Sequence, residues 1–150
     1  FYTRVYPLLQ AFNYPAVLAL VGSWMEMAED SSVKYDGRWV PRSGFMSWSQ
    51  VREVAASGLV EIAAHSYDMH RGVRANPQGN TQPGFTTRIY RQETRQLETD
   101  SDYVARLRED LRLSSRIIEM NTGRRPRIMV WPYGRYNAVA LLAAEEAGMP

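Results

Sequence analysis

Apolar positions along the chain switch between a helical period and short continuous runs. Tyr2, Val5, Leu8, Leu9 and Phe12 recur at helical spacing, and Pro15 then opens an apolar strand from Ala16 to Val21. A polar stretch holding Gly37, Pro41 and Gly44 follows. Ser47 is placed to cap a helix: Gln50, three residues on, completes a capping box, and Met46 faces Val51 as a hydrophobic staple. Gly58 suits the end of that helix, where the backbone turns left-handed. Leu59 to Ala64 predicts a second strand, which delivers His65. Residues 72 to 100 are polar, with glycine, proline and asparagine and no sustained period. A loop of that length inside a domain is functional or disordered. Helical spacing returns with Tyr103, Leu107, Leu111, Ser114, Ile117 and Ile118, and Gly123 stops it. Arg127 to Trp131 reads as a third strand and Pro132 to Tyr136 as a tight turn. Asn137 reads as the cap of a last helix ending near Gly148. This alternation of helix and strand implies right-handed crossovers and a parallel sheet. The predicted class is α/β.

Composition narrows the function classes. The 150 residues are one domain's worth, and 45% hydrophobic with 23% charged residues is ordinary globular usage. No apolar run approaches the roughly 20 residues of a membrane-spanning helix. The net charge is +2 and the arginines are interleaved with acids, so there is no basic stripe of the kind nucleic-acid binding needs. With no cysteine, disulfides and thiolate metal sites are excluded. The chain starts at Phe1 and stops at Pro150 where a strand would begin, so it reads as a piece of a longer protein. The lack of a targeting segment therefore says nothing about location.

Only two histidines are present, His65 and His70. Five positions along a helix rotate by about 140°, and five along a strand reverse the face, so neither lets both rings reach one ion. The segment must be a turn, and it follows a strand's C-terminal end, where α/β sheets and barrels place their sites. Two readings stand from spacing alone. One is a metal site using both imidazoles; the other is a pair of hydrogen-bonded structural histidines. A catalytic metal also needs a third protein ligand. Asp68 is the nearest carboxylate, but it lies too close in sequence to complete the set. Its expected role is to hold a ring N–H or the loop backbone.

Trp131-Pro132-Tyr133-Gly134 also follows a strand end and can meet the histidine turn across one rim. Proline fixes the backbone there and glycine permits close approach, which lets a backbone N–H face a substrate. Trp131 or Tyr133 offers a flat apolar face to a sugar ring. The plainer alternative is a capped aromatic turn packed on the sheet.

Together these segments resemble the polysaccharide deacetylase family (carbohydrate esterase family 4, the NodB homology domain). The match runs from Ser57-Gly58-Leu59-Val60-Glu61-Ile62 into His65-Ser66-Tyr67-Asp68-Met69-His70-Arg71-Gly72. It continues through Ala75 to Asn80, Tyr90, Glu98-Thr99-Asp100 and Thr122-Gly123 to Trp131-Pro132-Tyr133-Gly134. Phe1-Tyr2 and Val5 to Leu9 resemble the helix that follows the family's first motif. The five-residue histidine step resembles the branch acting on the β-1,6-linked N-acetylglucosamine polymer; most of the family steps by four.

The resemblance implies a fragment of a distorted (β/α) barrel, with residues 1–150 a partial deacetylase domain. The family's first motif would lie upstream, and the C-terminal part of the domain is also missing. It implies that His65 and His70 bind a divalent metal ion, zinc first, with cobalt, nickel or iron as alternatives. Trp131, Pro132 and Tyr133 would form a substrate groove, with the Tyr133 N–H helping to hold the oxyanion. The family's arginine before its prolines is missing, since Val130 and Trp131 stand there. The catalytic base, the third metal ligand (both aspartates) and the general-acid histidine would lie outside the chain. The implied location is the periplasm, with an outer-membrane anchor in the parent protein. The implied reaction is metal-assisted amide hydrolysis on the glycan polymer. Two rivals remain: a carbohydrate-binding module that keeps the fold without the chemistry, and a deacetylase of peptidoglycan or chitin-type glycans.

Overall fold

A computed structural model describes residues 1–35 and 37–150. The centre is a pair of parallel strands, β1 (Ala16–Leu20) and β4 (Val60–Ala64), registered from Ala16 opposite Val60 to Leu20 opposite Ala64. A third parallel segment lies on the far edge of β4. There Ala64 donates to the Ile128 carbonyl and accepts from Val130 N–H, with Met129 as its bridge partner. The expected strand from Arg127 to Trp131 is thus reduced to one bridge. The α/β class and the parallel sense hold.

Helices cover this sheet. α1 (Tyr6–Phe12) starts later than the spacing suggested, because residues 2–5 form a turn. α3 (Trp48–Ala56) carries the predicted capping box, with Ser47 and Gln50 bonding reciprocally, and Gly58 follows it at φ +75°. α4 (Asp100–Thr122) is capped by Thr99 and ends at Gly123, φ +74°. α5 (Ala138–Glu146) is capped by Asn137. The core between sheet and helices is built from Val51, Val54, Val60, Ala64, Leu107, Leu111, Ile118 and Ala140, among others.

Two regions differ from expectation. The polar stretch after β1 contains a short helix, α2 (Gly22–Glu26), and an antiparallel hairpin of β2 (Ser32–Tyr35) and β3 (Arg38–Pro41). The region from 72 to 100 folds as two small hairpins, β5 (Gly72–Arg74) with β6 (Thr81–Pro83) and β7 (Tyr90–Arg91) with β8 (Gln96–Leu97). Arg106 on α4 latches it: the guanidinium donates to Glu98, Gly84 and Thr87. No helix is long and apolar enough among the described residues to cross a membrane.

Candidate active site

His65 leaves the end of β4 held by both neighbouring segments. Its N–H donates to the Leu20 carbonyl of β1 at 2.8 Å. Its ring Nδ1 lies 2.6 Å from the Val130 carbonyl. A carbonyl only accepts, so Nδ1 carries the proton and Nε2 keeps its lone pair. Burial pushes the imidazole below its ordinary pKa; the Val130 bond opposes that and nearby His70 adds to it. The ring is therefore neutral at pH 7, the form that ligates a metal.

The five-residue step to His70 is a turn, and it is pinned from two sides. Ser66 is buried with φ +86°, a strained conformation for a residue with a side chain, and its Oγ accepts from Met69 N–H at 3.2 Å. From one side Gly22 and Ser23, at the start of α2, donate to the Ser66 and Tyr67 carbonyls at 3.0 and 2.8 Å. This approach requires glycine, since a Cβ on Gly22 would sit 2.7 Å from the Tyr67 ring. From the other side the buried Asp110 carboxylate on α4 accepts from Tyr67 N–H at 2.8 Å and Asp68 N–H at 2.7 Å. Desolvation lifts Asp110 to about 6, against the pull of those two donors. The turn brings the His65 and His70 rings to a centroid separation of 4.9 Å.

Aromatic side chains surround His70. Trp24 lies 5.0 Å away, Tyr133 4.8 Å and Tyr35 6.3 Å, centroid to centroid. Two clefts meet there. One, of about 570 Å³, is bounded by Tyr2, Leu20, Trp24, Met46, His65 and His70. The other, of about 1020 Å³, is bounded by Trp24, Tyr35, Trp39, Asp68, His70 and Tyr133.

The Trp131-to-Gly134 turn meets the histidine turn as the sequence suggested, through Tyr133 alone. Tyr133 is a non-glycine residue with φ 59° and ψ 13°, and the residue is 55% exposed. Gly134 and Arg135 donate to the Trp131 and Pro132 carbonyls, and the Tyr133 N–H has no backbone acceptor among the described residues. Trp131 packs edge-on against Phe85 at 5.3 Å and Pro132 is buried, so neither lines the two clefts; they fasten the turn that presents Tyr133. Asp68 also differs from expectation. The turn directs its carboxylate to Ser23 Oγ at 3.3 Å and to Arg71 at 3.1 Å, and the backbone-holding role belongs to Asp110.

Asp110, Trp24 and Tyr35 were not signalled by the sequence, for each reaches His70 or the turn that carries it only through the fold. The one local hint was an aromatic residue, Trp24, just past the end of a strand. As a metal site the donor set is partial. Among the described residues no cluster of three or more histidine and carboxylate groups is placed to hold an ion. The two imidazoles, one with its tautomer fixed by a carbonyl, fit two of the three positions that a catalytic divalent site uses.

The family model described as polysaccharide deacetylase matches residues 1–150. This chain belongs to the polysaccharide deacetylase family. This deacetylase-family chain is 40% identical over 148 residues to the poly-β-1,6-N-acetyl-D-glucosamine N-deacetylase of Escherichia coli strain K12, spanning 99% of the chain and 22% of that protein. It thus spans about a fifth of the length of the curated relatives it matches. Among solved structures, the BpsB deacetylase domain from Bordetella bronchiseptica shares 47% identity at a TM-score of 0.94, covering 99% of this chain and 56% of that one. The de-N-acetylase from Aggregatibacter actinomycetemcomitans shares 44% at 0.93, with the same coverage of both chains. IcaB from Ammonifex degensii, at 20% identity and a TM-score of 0.69 over 99% of this chain and 52% of its own, shares the fold.

Proposed function

We propose that the protein containing this chain hydrolyses the amide C–N bond of N-acetyl groups on a β-1,6-linked N-acetylglucosamine polymer. The observation that carries the reading is the pairing of His65 and His70 on a pinned turn beside a large open cleft. The likeness to the Escherichia coli enzyme supports the substrate class. His65, through Nε2, and His70 would hold a divalent ion, with zinc the first candidate. When bound, such an ion supplies Lewis-acid polarisation of a carbonyl and a lowered pKa for a coordinated water.

The chain's own residues then do three things. The Val130 carbonyl fixes the His65 tautomer, and Asp110 fixes the turn that sets the ring separation. The unpartnered Tyr133 N–H donates to the acetyl oxygen as negative charge grows on it, a strained donor held ready in advance. The rings of Tyr133, Trp24 and Tyr35 narrow the approach to His70 and displace water from it. With both imidazoles committed to a metal, neither moves the protons of the reaction, and that duty falls to groups beyond these residues. The products are acetate and a free amine, which makes the polymer cationic at neutral pH. On the family resemblance, this takes place in the periplasm.

Acetate release from the β-1,6-linked polymer by the full-length protein tests the reading. His65→Ala and His70→Ala are each expected to reduce it to background while circular dichroism is unchanged. Full activity in the double variant would remove both histidines from the chemistry. Faster release from chitin or peptidoglycan would replace the substrate, and glycan binding without acetate release by the wild type would leave a binding module.

A further inference from the structure

We propose that the β2–β3 hairpin is a second sugar-binding element, in which Trp39 stacks on a glycan unit removed from the one at the histidines. This rests on reading the site as glycan-processing. The pairing places Lys34 opposite Trp39 on one face of the hairpin, and Val33 opposite Val40 on the other. Val33 is fully buried and anchors the inner face. The buried Arg42 guanidinium donates to the Met25 and Met46 carbonyls, and its backbone N–H to Ser31 at 2.9 Å, so the base of the hairpin is tied down. Tyr35 is fixed as well, edge-on to Trp24 at 5.7 Å and to Phe45 at 6.2 Å.

On this rigid mount Trp39 is 71% exposed and has no aromatic partner among the described residues. The wider cleft runs continuously from His70 and Tyr133 to Trp39. Its volume, about 1020 Å³, is at the top of the roughly 300–1,000 Å³ range of sites that enclose a drug-sized ligand, which is more room than one sugar ring fills. Ser23, Lys34 and Thr81 line it together with the aromatic groups. That lining suits a pyranose chain, whose C–H faces pack on indole while hydroxyl and acetamido groups bond to polar side chains.

Calorimetric binding of fully acetylated β-1,6-linked hexamer and dimer to the full-length protein tests the proposal without using activity. Trp39→Ala is expected to weaken the hexamer by about three- to tenfold and the dimer by less than about twofold, with Trp39→Phe recovering most of the loss. An unchanged hexamer affinity, or equal losses for hexamer and dimer, overturns it. If a β-1,4-linked hexamer binds with the same Trp39 dependence and the β-1,6 hexamer does not bind, the platform stands and the β-1,6 reading fails. A wild type that binds neither hexamer overturns both.

Discussion

Asp110 is the residue that the spacing of the two imidazoles depends on most directly, although it touches neither ring. Its two carboxylate oxygens take the N–H groups of Tyr67 and Asp68, in the middle of the five-residue step. Asp110→Asn keeps the volume but turns one acceptor into a donor that faces an N–H. A buried group left unsatisfied in this way costs about 1–3 kcal/mol. For a chain of this size that lowers the melting temperature by about 2–4 °C per kcal/mol. The pH dependence has a definite sign. Burial raises the folded-state pKa from 3.8 to about 6, so between those values the native state holds a proton that the unfolded chain has lost. Stability contributed by this group therefore falls as pH rises through that window. Urea unfolding from pH 4 to 7 should show that decline in the wild type and a flatter profile in Asp110→Asn. Equal slopes in the two proteins would show that Asp110 does not titrate there.

Elements whose stabilising contacts are local were legible in the sequence, and those held by distant residues were not. The capping box of α3, the Asn137 cap of α5 and the glycine stop of α4 are each encoded within a few residues, and all three form where expected. The strand that delivers His65 was equally plain. The β2–β3 hairpin depends on burial of Val33 and on Arg42 reaching Met25, 17 residues away, so its polar sequence read as loop. The sequence left two readings of Trp131 open for the same reason, because its packing partner Phe85 comes from another segment. The hairpins between 72 and 98 depend on Arg106. Its guanidinium grips both Glu98 oxygens at 2.8 Å and the carbonyls of Gly84 and Thr87, and Glu98 is only 3% exposed. Burial alone would raise the Glu98 pKa, but the Arg106 guanidinium and the Ile89 N–H hold it below its ordinary value. Its stabilisation is therefore complete at neutral pH and lost as pH falls through the acid range. Arg106→Ala leaves that carboxylate buried and unpaired, a loss of about 3–5 kcal/mol. Arg106→Lys should recover little, since an ammonium cannot make the two-pronged contact. Chemical denaturation of the three proteins checks this, and near-wild-type stability in Arg106→Ala would refute the latch.

Across the whole molecule, the site is assembled from segments that have little in common except where they end. α2, the β2–β3 hairpin, the histidine turn and the Tyr133 turn all stand at the C-terminal rim of β1, β4 and the 128–130 segment. β4 is the hub, since it is paired on both edges and packed beneath α3 and α4. A frame of this kind opens only by global unfolding, while short surface hairpins open locally at low cost. Native-state hydrogen exchange should therefore sort the amides by attachment to the hub, not by element type. The amides of β4 and of α4 from Leu107 to Ile118 belong to the slowest class. Those of β7 and β8, two residues each and mostly exposed, should exchange about 100-fold faster or more, equivalent to about 2.8 kcal/mol. Tyr67 and Asp68 decide the question. They lie in an irregular turn, yet both donate to Asp110 on the buried side of α4, so they should exchange with the slow class. If they exchange as fast as the β7–β8 hairpin, the imidazole separation is not fixed by the frame. A preorganised metal site would then have to be set by the ion itself.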